Sequence, residues 1–422
     1  MNVDLFRRVD RVAGGLLCWG LTQLARLAPR RGAASLALPP RRILLLKLPE
    51  MGSVVLLHPL IERAHERWPA CEVWIVTFEE SREVVALLGS IPPERMLTIS
   101  TRGPFRFAAS VVAAVRRARA IGFDAVIDLE FFARFTALFA FVSGARARVG
   151  FHRFHGEGLY RGDLLTHRVG YNPYLHTAHA FLSLLEALGC DPSEAPMVKT
   201  RVADLPLPRP RFSPDPAETR SMRAKLEAAA AARLEGRPVF LLNPNASELI
   251  PIRRWPLERY VELAERLLAE PEALVVLIGA ASDRGSAAAI RGRIASPALI
   301  DLTGQTSVRE LVTLFTFATA LVTNDSGPAH FATFTTIPTV TLFGPETPVL
   351  YGPLGPRQRN LHAGLACSPC VSAFNHRHSA CDRARCLEEI SVDQVIAALH
   401  ELGVQADPAA RSAAQPRLRA VS

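Results

Sequence analysis

The sequence predicts an α/β protein built from two doubly wound parallel-sheet domains. Three observations carry that expectation. Continuous apolar runs of strand length alternate with stretches of helical period, the pattern of buried parallel strands joined by crossover helices. The alternation stops once, between Leu205 and Pro216, where five prolines fall within twelve residues, and then restarts. The chain has 422 residues, too many for one ordinary domain and suited to two. The expected divisions are a basic amphipathic N-terminal helix (1–40), a first Rossmann-like domain (41–204), a Pro-rich linker (205–216), a second Rossmann-like domain (217–404) and a disordered tail (405–422).

The elements follow in order. Within 1–31, Leu5, Val9, Val12, Leu16, Leu17, Leu21, Leu24 and Leu27 recur at helical spacing, with Arg7, Arg8, Arg11, Arg26, Arg30 and Arg31 around them. Such a helix, carrying Trp19, suits an anionic membrane surface. Packing against the chain's own core or a partner is the other reading. A signal peptide fits less well, because basic residues resume at Arg26 and no small-residue cleavage site follows. Arg42 to Leu48 reads as the first strand, and a helix runs from the Gly52 turn to about Trp68. Strands at 72–77, 96–100 and 124–128 continue the series, with a helix near 107–121. After the linker, strands are expected at 239–243, 273–278, 298–301, 320–323 and 339–343. Helices are expected at 257–269, 307–318 and 328–334.

Composition narrows the function. Hydrophobic residues make up 49% and charged residues 21%, which excludes a disordered chain, and no apolar run is long enough to span a bilayer. The formal net charge of +9 favours an anionic partner. The arginines are scattered and not interleaved with aromatics, which argues against nucleic acid. The seven cysteines include three that stand far apart, Cys18, Cys71 and Cys190. That spacing favours a reducing compartment over a disulfide scaffold.

Strand-end loops carry the chemistry. Asn324-Asp-Ser-Gly-Pro-Ala-His330 follows an expected strand. Asp325 or Ser326 is placed to cap the next helix, Gly327 to turn the chain tightly, and Pro328 to open the helix. Backbone N–H groups there suit a diphosphate, with His330 one turn inside. The bland alternative is ordinary capping plus a packed histidine. Asn243-Pro-Asn-Ala-Ser247 is a second such loop, with Asn245 and Ser247 as candidate donors. Arg253 and Arg254 follow before Trp255-Pro256, and a guanidinium fork pairs naturally with phosphate oxygens. Gly279 with Asp283, and Gly304, mark two further loops, where Asp283 would hold ribose hydroxyls. In the first domain, Gly52 and Ser53 are candidate nucleotide-sugar contacts, and Glu50 is the one carboxylate beside them, hence the candidate general base. Cys367, Cys370, Cys381 and Cys386 form a cluster open to three readings: zinc ligands, disulfides or reduced thiols.

Taken together, these segments resemble glycosyltransferase family 9, the ADP-heptose:lipopolysaccharide heptosyltransferases, over about Ile43 to Leu399. The match rests on Asn324 to His330, on Ile337 to Pro345, on Gly352-Pro353 and on the Arg253-Arg254-Trp255-Pro256 run. The resemblance implies the GT-B fold, two Rossmann-like domains facing across a cleft, with donor on the C-terminal one and acceptor on the N-terminal one. It implies that Asp325, Ser326, Gly327 and His330 lie at the nucleotide diphosphate, with Asn324 a further donor-site candidate beside them, that a basic residue of the Arg253-Arg254 pair reaches the phosphates, and that no metal or other cofactor is needed. One departure stands out. The family's Gly-Asp, whose aspartate is the base, reads Gly52-Ser53 here, which leaves Glu50 to take the role.

The expected activity is therefore inverting transfer of a heptose or related sugar from an ADP-sugar to a lipid-linked glycan, in the cytoplasm or at the inner face of its membrane. The alternative is a non-catalytic nucleotide-sugar-binding protein that kept the donor site and lost the base.

Overall fold

The computed structural model describes residues 9–27, 39–154, 158–246, 250–375 and 377–406. The expected tail from 407 onward, Ser247, and the ends of the N-terminal segment (1–8 and 28–38) lie outside the described residues. The chain folds as two units. Unit 1 comprises Met1–Pro210 with Val349–Tyr351 and Val371–His378, and unit 2 the remainder from Arg211.

Unit 1 holds a six-stranded sheet: β1 (Arg42–Leu46), β2 (Glu72–Phe78), β3 (Met96–Ile99), β4 (Ala125–Asp128), β5 (Ala147–His152) and β6 (His167–Gly170). Every pairing is parallel and the order is β3-β2-β1-β4-β5-β6. Beyond Arg42 the central strand β1 is apolar because helices cover both faces, burying Ile43 to Leu46. On one face, Leu44, Leu46 and Val126 pack against Ala114, Ala118, Phe139 and Ala140 from the helices Pro104–Ile121 and Arg134–Val142.

Unit 2 repeats the plan with β7 (Val239–Asn243), β8 (Leu274–Leu277), β9 (Leu299–Asp301), β10 (Ala320–Asn324), β11 (Thr339–Phe343) and β12 (Gln358–His362). Its order is β12-β11-β10-β7-β8-β9, again all parallel. A core of Phe240, Leu242, Leu263, Leu267 and Val322 includes Trp255 and Tyr260, whose rings meet edge to face at 5.0 Å.

The α/β class with two doubly wound parallel sheets is the one expected. Both sheets have the strand order whose winding reverses beside the first strand. That point lies between β1 and β4 in unit 1, and between β7 and β10 in unit 2. In doubly wound sheets, ligands bind at the carboxyl ends of the two strands flanking this reversal.

Some local expectations are corrected. The helix expected from Gly52 to Trp68 is two helices, Met51–Val55 and His58–Arg67. The expected strand set lacked β5, β6 and β12. Between the units the chain from Leu205 to Asp215 forms no regular element, and Asp215 then caps the helix Pro216–Ala230 in a reciprocal box with Glu218.

Candidate functional site

Three loops meet at the carboxyl ends of β7 and β10 in unit 2, and polar side chains stitch them together. Asn243, the last residue of β7, donates from Nδ2 to Thr323 Oγ1 at 2.9 Å and to Ser326 Oγ at 2.9 Å. Asn324, the last residue of β10, donates from Nδ2 to the Asn245 carbonyl at 3.2 Å and accepts from Trp255 N at 3.0 Å. Trp255 is buried and donates from Nε1 to the Ile390 carbonyl at 2.9 Å. Burying the indole thus anchors the loop that carries Arg253 and Arg254, and the basic-aromatic spacing is a device for positioning cations.

Arg253 reaches Asp325, Nη1 to Oδ2 at 3.2 Å, with only 11% and 5% of the two side chains exposed. Its Nε is buried with no hydrogen-bond partner among the described residues, and the same is true of both amide atoms of Asn245. Such groups are costly to bury unsatisfied, so their presence at the reversal point marks where a polar ligand would complete them. Arg254 donates to the Ala246 carbonyl at 3.3 Å.

A carboxylate that the sequence reading passed over belongs to this cluster. Glu346, just beyond β11, is buried and interacts electrostatically with Asp325 and Arg253. Burial, then the neighbouring Asp325 charge, pushes its carboxyl up to about 8, with Arg253 opposing. Burial also raises Asp325 above the usual carboxylate range, again against Arg253. One guanidinium therefore serves two buried acids, which titrate as a pair. The one hint the sequence offers for Glu346 is its place in the loop after β11, behind Gly344-Pro345; its partners come from other loops.

The remaining candidates fall around this centre. His330 is buried one turn into the short helix Gly327–Phe331. The capping expectation is corrected: Ser326 stands at the N-cap but its hydroxyl makes no cap bond, being held by Asn243 and turned to the Asn324 carbonyl at 3.1 Å. Asp325 faces Arg253 instead, and Gly327 turns without a left-handed φ. Gly279 and Gly304 form a tight crossing: Gly304 N donates to the Gly279 carbonyl at 2.8 Å, and a Cβ at Gly304 would sit 2.6 Å from Ala281 Cα. Asp283 closes this turn by accepting from Ala280 N at 2.8 Å. A Cβ at Gly279 would lie 3.3 Å from Asn245 Nδ2, so that glycine leaves room for the asparagine.

Unit 1 places its own polar cluster at the β1/β4 reversal. Glu50 stands at the head of the helix Met51–Val55 with φ 68°, a left-handed value unusual for a non-glycine residue, of the kind that collects at functional sites. Its carboxylate is paired with Arg377, whose guanidinium lies over the Tyr351 ring at 5.1 Å. Ser53 is buried, with its hydroxyl spent on the Glu50 carbonyl at 2.8 Å. Gly52 is buried in the same turn. Deeper in, Lys47 donates from Nζ to Glu130 Oε1 at 2.8 Å, and Asp128 pairs with Arg161. Burial depresses the Lys47 ammonium, with Glu130 opposing, and burial pushes Asp128 up to about 6 against Arg161. The sequence reading missed this buried network.

The four clustered cysteines are free thiols, Cys386 buried and Cys367 and Cys381 exposed. Among the described residues, no group of three or more His, Cys, Asp or Glu side chains is arranged to hold a metal ion.

Comparison with known proteins converges on one family. The sequence model described as Glycosyltransferase family 9 (heptosyltransferase) matches residues 111–379. Lipooligosaccharide heptosyltransferase 2 of Haemophilus influenzae is 35% identical over 154 residues, which span 36% of this chain and 44% of that protein. The protein of the same name from Haemophilus ducreyi is 26% identical over 371 residues, 86% of this chain and 99% of its own length. Among solved structures, Escherichia coli ADP-heptose lps heptosyltransferase II superposes with a TM-score of 0.66 at 21% identity, over 86% of this chain and 98% of that one. At that identity the likeness speaks for the fold.

Proposed function

Because the chain belongs to glycosyltransferase family 9, the heptosyltransferases, we propose that it moves a heptose from ADP-heptose to a hydroxyl of a lipopolysaccharide core or another lipid-linked glycan. The donor's diphosphate binds unit 2 at the ends of β7 and β10. The observation that carries this reading is the pair of buried groups there, the Asn245 amide and the Arg253 Nε, that have no hydrogen-bond partner among the described residues. A nucleoside diphosphate offers acceptors to both. Arg253 and Arg254 gather the charge that develops on the departing diphosphate, so the residues present supply the electrostatic part of catalysis.

Chemistry proceeds in one displacement. The acceptor oxygen attacks the anomeric carbon from the face opposite the diphosphate. The bond from that carbon to the phosphate oxygen breaks, the sugar inverts, and ADP leaves with the bonding electrons. Glu50 of unit 1 takes the proton from the acceptor hydroxyl. Ser53 cannot do so at neutral pH, and its hydroxyl is already committed to the Glu50 carbonyl. For Glu50 to act, its carboxylate must leave Arg377. A lipid-linked acceptor puts the enzyme at the cytoplasmic face of a membrane.

Calorimetric titration with ADP, UDP and GDP tests the donor assignment. Selective binding of ADP supports it. Equal binding of all three, or none, overturns it.

A further inference from the structure

The N-terminal helix is docked on its small and polar side, and its apolar side faces solvent. Asp10–Gly14 is a wide π-turn leading into the α-helix Gly15–Leu27. Gly14, Cys18 and Thr22, spaced by four, form the buried seam. A Cβ at Gly14 would come within 3.0 Å of Arg134 Cβ. Phe135 N donates to Asp10 Oδ1 at 2.8 Å, Asp163 N donates to Thr22 Oγ1 at 2.9 Å, and Arg26 pairs with Asp163 at 2.7 Å. These polar attachments fix the helix with its large apolar residues outward. Val12, Leu16, Leu17, Trp19, Leu24 and Leu27 are all more than half exposed. An ordinary surface helix would turn that face inward.

A second helix of unit 1 carries a surface of the same kind. The helix Pro104–Ile121 exposes Phe105 at 90% and Val112 at 47%, with Arg106, Arg116 and Arg117 also exposed. Both helices border Arg134–Val142: Phe107 meets the Phe135 ring at 5.7 Å, and Asp10 takes the Arg134 and Phe135 amides. Neither Gly15–Leu27 nor Pro104–Ile121 contains an acidic residue, and Asp10 is turned inward. The exposed side chains are thus apolar or cationic.

We propose that this face of unit 1 seats the protein on an anionic lipid bilayer, with Trp19 and its leucines entering the headgroup boundary and the arginines meeting lipid phosphates. Apolar area together with arginine, on two helices that carry no acidic residue, is the complement of such a surface. The helix is docked along unit 1 through Gly14, Cys18 and Thr22, a posture that suits a helix lying in the interface. Among the described residues, no helix is long and apolar enough to span a membrane. This deepens the reading of a lipid-linked acceptor and rests on it for its purpose, but binding to bare lipid tests it separately.

The test is co-sedimentation of the full chain with vesicles of phosphatidylcholine alone or with 30% phosphatidylglycerol added. The comparison protein is the triple variant L16S/W19S/L24S, altered at exposed positions only. Expected are binding to the anionic vesicles, at least tenfold weaker binding to neutral ones, and at least tenfold loss in the variant. ADP affinity should be equal in both proteins, which keeps this outcome separate from the donor reading. Wild-type protein that stays in the supernatant with anionic vesicles overturns the proposal. So does a wild-type dimer that the variant abolishes without any change in vesicle binding, since the face would then belong to a second copy.

Discussion

Replacing Arg253 with Met keeps most of the buried volume and removes the guanidinium, which makes it the sharpest probe of the donor loops. Two effects follow. Hydrogen bonds to a charged group contribute about 1.5–3 kcal/mol each, so ADP should bind about 10- to 150-fold more weakly. The second effect is on stability. Only 11% of the Arg253 side chain and 5% of the Asp325 side chain are exposed, so solvent does little to screen their pairing. Breaking a buried pair by removing one partner costs about 3–5 kcal/mol. Asp325 and Glu346 escape part of that cost by holding protons, since burial already raises both above their ordinary values of 3.8 and 4.5. The folded variant then retains protons that the unfolded chain has released, so its stability deficit relative to wild type grows as pH rises from 5 to 8. Calorimetry with ADP and urea unfolding at pH 5, 6.5 and 8 measure both effects. An ADP affinity within twofold of wild type would remove Arg253 from the donor site. A deficit independent of pH would refute the shared-cation account of the two acids.

Three other outcomes are expected. Wild-type stability tied to Glu346 is complete below about pH 4.5 and is lost as pH rises towards about 8. Glu346→Gln should therefore gain melting temperature over wild type at pH 8–9, and identical pH slopes would contradict this. Glu50→Gln should lower glycosyl transfer by about 10²–10⁴ while ADP affinity holds; turnover within threefold of wild type would assign the base to another carboxylate of unit 1. Gly304→Ala places a Cβ 2.6 Å from Ala281 Cα at φ 69° and should cost about 1–3 kcal/mol in urea unfolding, whereas a neutral result would mean the loop yields freely.

The legible parts of the fold were those with physical redundancy. β7, β10 and β11 are buried at every residue, so apolar residues dominate their sequences and the polar ones are confined to Thr and Asn. β6 and β12 are edge strands with exposed or half-buried positions, and His167–Gly170 and Gln358–His362 carry no such run. The site was legible where turns demand particular residues, as at Gly304 and in the loops holding Asn245 and Asp325. Glu346 was not, because its partners Asp325 and Arg253 come from other loops and only the fold assembles them. Ser326 was read as a cap for the same reason, since Asn243 takes its hydroxyl across the sheet. The N-terminal periodicity was plain, but its orientation depended on Asp10, Thr22 and Arg26 finding partners far along the chain.

The central claim is sugar transfer, and intact-mass analysis of the acceptor tests it most directly. The chain would be incubated with ADP-heptose and a lipopolysaccharide core lacking heptose. The account predicts a mass gain of one heptose per acceptor, and an anomeric NMR coupling in the product that shows the configuration opposite to the donor's. An acceptor left unmodified by protein that binds ADP would contradict it, and would leave a nucleotide-sugar-binding protein without the transfer.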